Sequence, residues 1–128
     1  MVVTPEAFRL WGFRMIHRGR RSRNRGVGKG EERRYSAHFG TTWDIVYQIW
    51  VLLDDLPRGA RPLHLLWALL HCKVYSTEEV LSGIAGCDEK TFRKWSSIFR
   101  EAITMAIDKV VSCLLFVFCF LLYFLQIN

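Results

Sequence analysis

Residues 78–99, EEVLSGIAGCDEKTFRKWSSIF, read as a short helix, a three-residue turn around Gly86 and a longer helix, the spacing of a helix-turn-helix. Just upstream, Ser76-Thr77-Glu78-Glu79 has the pattern of a capping box, in which a hydroxyl accepts from an early backbone N–H and Glu79 reaches back. Gly86 tolerates the positive φ that the turn requires, and Asp88 stands where a cap for the second helix belongs. Small residues at Ser82, Gly83 and Ala85 predict a close helix crossing, with Leu81, Ile84, Phe92 and Trp95 filling the angle. Phe92, Trp95, Phe99, Ala102, Ala106 and Val110 recur at helical spacing and define the expected buried stripe.

That packing leaves Lys90, Arg93, Lys94 and Ser97 at i, i+3, i+4 and i+7 on the opposite face of the second helix. Cations in the first turns of such a helix reach phosphates, and Arg93 is placed for a bidentate pair with guanine in a major groove. An ordinary helix pair with a solvated charged face has the same pattern, so spacing alone leaves both readings open.

Upstream, Thr41 or Thr42 caps a predicted helix at 42–56, with Trp43, Val46, Ile49, Trp50, Leu53 and Leu56 three or four residues apart. The turn PRGARP stops it. Pro62 suits a first helical position, and LHLLWALLHCKVY follows with no breaker. Apolar nearly all round, this helix belongs in the middle of a bundle, and at about a dozen residues it is too short to cross a bilayer. The fold class is therefore all-α: a small trihelical or four-helix bundle at residues 35–109.

The net charge of +6 is unevenly placed, for residues 1–34 hold ten Lys or Arg against three Glu, and the remainder eight against nine acids. Residues 17–34, HRGRRSRNRGVGKGEERR, hold too little apolar surface to offset the entropy of ordering. Residues 1–34 thus read as a basic, mostly disordered arm in which Arg20, Arg21, Arg23 and Arg25 add sequence-independent affinity for phosphates or a minor groove. A solvated linker or a nuclear-import signal fits the same run. Within the arm, residues 1–16 can form a short amphipathic helix carrying Phe8, Trp11 and Met15, which Gly12 weakens.

The runs RRYSAHFGTTWDIVYQIWVLL and RPLHLLWALLHCKVYSTEEVLSGIAGCDEKTFRKWSSIFREAI resemble the region ahead of the catalytic domain in Harbinger-type transposases and their host-derived relatives. The resemblance covers about residues 33–109, and its most specific pieces are HFGTT, HLLWALLHCKVY and CDEKTFRKW. It implies a trihelical DNA-binding domain that finds the terminal repeats of a transposon in duplex DNA, and hence a nuclear location. Family members continue into an RNase H-like domain whose three carboxylates hold two divalent metals. Here no Asp or Glu follows Asp108, so the chain reads as a fragment that stops before catalysis, without enzyme activity, metal or cofactor.

From Val110 to Leu125 the sequence is apolar except for Ser112. Residues 110–128 read as a transmembrane segment, as a translated intron, or as an extension of the last helix that covers the bundle. The first of these gives the alternative function, a tail-anchored membrane protein whose Lys109 and Arg100 satisfy the positive-inside bias. His64 and His71 lie two turns apart, wide for zinc, and adjacent His71 and Cys72 point about 100° apart, which disfavours a thiol dyad. Cys72, Cys87, Cys113 and Cys119 form no metal-like pairing and are expected to be reduced and structural.

Overall fold

Pro62 opens the helix around which the others assemble. The computed structural model describes residues 2–17 and 29–127. Its elements are α1 (Pro5–Ile16), α2 (Lys29–Phe39), α3 (Trp43–Leu52), α4 (Pro62–Lys73), α5 (Glu78–Ala85) and α6 (Glu89–Ile127), with no strand among the described residues. The chain is all-α. α4 touches each of the other five helices and buries His64, Leu65, Leu66, Trp67, Ala68 and Leu70. Its nearly continuous apolar surface finds partners on every side.

The packing begins at Pro5, thirty residues before the expected boundary at residue 35. Thr4 caps α1 by accepting from the Ala7 N–H at 3.2 Å, and α1 buries Phe8, Met15 and Ile16. α2 takes in the end of the expected arm and buries Tyr35 and Phe39. Gly12 is what allows the two to meet: a Cβ there would overlap the Tyr35 ring and touch Phe39. Read from sequence as a weak point, it is the site of closest approach. The Tyr35 hydroxyl donates to the Phe8 carbonyl oxygen at 3.0 Å inside this contact, and burial pushes its phenol well above the usual range. Around it, Phe13 and Trp43 set their rings edge-on to Tyr35 at 5.6 and 5.2 Å.

α3 follows Thr42, one of the two expected start positions, but the Thr42 hydroxyl makes no capping bond, and the helix ends at Leu52, four residues short of the expected limit. Leu53 leaves helical geometry with φ −79° and ψ 126°, which returns its side chain to the core at 8% exposure. Asp55 at φ 55° then turns the chain toward α4. In α4 the His64 ring does what a capping-box glutamate would, its Nδ1 accepting from the Arg61 backbone N–H at 3.1 Å.

α6 is a single helix of 39 residues, and its two halves have different surroundings. As far as Ala106 it packs on α4 and α5; every residue described from Ile107 to Gln126 is exposed. The apolar segment does lengthen the last helix, but it does not cover the bundle. Val110, expected at the end of the buried stripe, is 40% exposed because no other helix reaches that far.

Candidate nucleic-acid interface

Three local devices set the angle between α5 and α6. Thr77, not Ser76, caps α5 through a bond from the Val80 N–H at 3.4 Å; with Thr77 as the cap the third helical residue is Val80, so the expected return bond from Glu79 does not form. Gly86 closes α5 in left-handed geometry, φ 80°, and its N–H and that of Cys87 both return to the Ser82 carbonyl oxygen. Asp88 caps α6, with Oδ2 accepting from the Thr91 N–H at 3.2 Å and Oδ1 from the Thr91 hydroxyl at 2.6 Å. These bonds hold the Asp88 carboxyl below the usual carboxylate range.

Leu81, Ser82 and Ala85 of α5 are buried against the rest, and Phe92, Ser96 and Phe99 of α6 are fully buried. Two expected packing residues differ. Gly83 faces open space, with nothing within 4 Å of a Cβ built on it, so it takes no part in the crossing. Trp95 is only half-buried and lies flat on the His64 ring, centroids 4.3 Å apart and 11° from parallel. The residue that sequence spacing missed is Ser96, whose hydroxyl returns to the Arg93 carbonyl oxygen at 3.3 Å and so enters the core already satisfied. A polar residue in an otherwise apolar stripe gives no sequence signal of burial when its own helix supplies the partner.

With Phe92, Ser96 and Phe99 inward, Lys90, Arg93, Lys94 and Ser97 are all exposed on the outer side of α6. The helix brings these four together at its N-terminal end. They do not form a uniform cationic face. Arg93 pairs with Glu78 from the first turn of α5, with Nε donating to Oε2 at 2.7 Å and a second nitrogen 2.6 Å from the same oxygen. The bond keeps the Glu78 carboxyl low and raises the Arg93 guanidinium further. Lys94 sets its Nζ 4.9 Å from the centroid of the Trp95 ring. Lys90 and Ser97 stand on either side of this pair along the axis. Arg20, Arg21, Arg23 and Arg25 lie outside the described residues.

Beneath the face, His64 is 5% exposed, and burial, reinforced by the charges of Arg61 and Lys94, pushes its imidazole down to about 4. His71 lies beside Phe92, ring centroids 6.2 Å apart, with its pKa also lowered by burial. Both histidines are packing groups, and no cluster of three or more metal-ligating side chains forms among the described residues. Cys72, expected to be a structural residue of a helix apolar nearly all round, is exposed.

No known family model, curated protein or solved structure matches the chain.

Proposed function

We propose that the helical head binds duplex DNA through the outer face of α6, without catalysing a reaction on it. One observation carries this reading: Lys90, Arg93, Lys94 and Ser97 lie together and exposed at the N-terminal end of α6, which α4 and α5 hold from behind. A rigidly backed helix end bearing three cations suits a groove, because its position does not have to be ordered on binding. Arg93 has a guanidinium able to make a bidentate contact with guanine, at the cost of releasing Glu78. The basic run at 17–34 would add phosphate contacts without sequence preference. The transposase resemblance supplies a target class, the ends of a transposon, and a nuclear setting.

The deciding experiment is a titration of the full chain with labelled duplex DNA at increasing salt. Binding through phosphates makes log K fall linearly with log salt, at about 0.9 per phosphate neutralised. Affinity that ignores salt, or no binding in low salt, would reject the reading.

A further inference from the structure

One stretch of the molecule has no role in the head or its cationic face. From Val110 to Gln126, α6 carries no charge on any side, and its side chains are 40 to 74% exposed at the large apolar positions. Another protein helix would cover one stripe of such a segment and leave the others in water, whereas here no polar face exists to be left there. An environment that encloses the helix on all sides is required. At 1.5 Å per residue the segment is about 25 Å long, within the few ångströms by which a bilayer core of about 30 Å adapts to a short span. Its upper limit is sharp: Asp108 and Lys109 precede Val110, and Lys109 Nζ lies 3.9 Å from Asp54 of the head. Toward the far end stand Tyr123 and Gln126, residues that suit a lipid–water boundary.

We infer that the apolar half of α6 spans a lipid bilayer, and that the same continuous helix displays the DNA-binding face clear of the membrane surface. Ser97 and Lys90 precede Val110 by 13 and 20 residues, which places them about 20 and 30 Å along the axis from the hydrocarbon boundary. Headgroups occupy only about 5 to 7 Å of that distance. The remainder exceeds a Debye length of about 8 Å at physiological ionic strength, so lipid phosphates neither occupy the cationic face nor repel a duplex bound to it. No hinge separates the two halves, and a tilt of about 20° changes these heights little. The second half of the inference rests on the proposed DNA binding; the anchoring does not.

The test uses the full chain reconstituted with phosphatidylcholine vesicles, whose headgroups carry no net charge, and fluorescent duplex DNA. Flotation in a density gradient should carry the protein with the vesicles, before and after a carbonate wash at alkaline pH, and should carry the DNA with it. L115K/F118K changes two exposed side chains remote from the core. It should abolish flotation while leaving helix content and DNA affinity in solution unchanged. R93A/K94A should float as the parent does and lose most of the recruited DNA. Release of the parent by alkaline wash, or a soluble oligomer that ignores the vesicles, would overturn the anchor. A parent that floats but recruits no DNA would preserve the anchor and overturn the tethered binding.

Discussion

The Arg93 guanidinium donates to Glu78 Oε2 at 2.7 Å, tying the second turn of α6 to the first turn of α5 across the Gly86 turn. Fifteen residues separate the partners in sequence, so the cation proposed to read a base is already engaged by a carboxylate of the neighbouring helix. Electrostatically, α5 sets the availability of Arg93.

Glu78→Gln should therefore strengthen DNA binding several-fold, by removing both a competitor for Arg93 and a negative charge facing phosphates. The melting temperature should hardly move, since the pair is exposed. Equilibrium binding in low salt, run beside a thermal melt, measures both. Weaker binding by the variant would mean that Glu78 serves to orient Arg93.

Arg93→Ala with Lys94→Ala should weaken binding to all sequences and flatten the salt dependence, with helix content unchanged, because both side chains lie outside the core. If Arg93 reads a base, the single change costs about 1 to 3 kcal/mol and relaxes preference at one position. Trp95→Ala should behave differently. Its ring covers His64, so it should lower stability, though by less than the ~3 to 5 kcal/mol typical of a fully buried Trp. Competition binding and denaturant melts separate these effects.

Gly12→Ala and Gly83→Ala should have opposite signs. Both glycines lie inside helices, where alanine gains about 0.5 to 1 kcal/mol by propensity. At Gly83 nothing opposes the gain, and stability should rise. At Gly12 the new methyl overlaps the Tyr35 ring, and overpacking of about 1 to 3 kcal/mol outweighs it. Urea midpoints for the pair decide the matter; a stabilised Gly12→Ala would show that α1 and α2 do not pack this closely.

Stability should fall as pH drops from about 6.5 toward 4 and then level off with respect to His64. The folded pKa of about 4 lies below the ordinary value of 6.5, so between them the unfolded chain binds the proton and the folded chain does not. Protonation would also set a hydrogen on Nδ1 against the Arg61 N–H that it now accepts. The loss should be on the order of 2 kcal/mol, less than the full shift implies because solvent screens the neighbouring cations. His64→Gln should remove this dependence in pH-resolved denaturant melts.

Much of the helical layout was legible from local chemistry. The Pro62 start, the Asp88 cap and the positive-φ Gly86 each act within a few residues, so sequence neighbours suffice to identify them, whereas the cap of α5 falls on Thr77, one residue past the capping box that the pattern suggests. The apolar surround of α4 announced a central helix, and the exposure of Lys90, Arg93, Lys94 and Ser97 followed from the placing of Phe92 and Phe99. Charge and composition likewise marked the change at Val110, since neither depends on fold.

Tertiary structure decided what depends on contacts between distant segments. α1 looked like part of a basic arm because its own sequence cannot show that Phe8 will meet Tyr35, 27 residues later. Gly12 looked like a weakness because its sequence cannot show the ring beside it, and helical spacing did not place Ser96 in the core, where its own helix satisfies its hydroxyl. The pairing of Arg93 with Glu78 needed the crossing of two helices, which spacing suggests but does not orient. Whether the apolar end of α6 would fold back over the bundle was also beyond the pattern. No Gly or Pro interrupts α6 after Glu89, so the helix runs on past α4 and α5, and its residues from Ile107 to Gln126 stay exposed although apolar side chains such as Val51 and Leu52 remain open on the bundle.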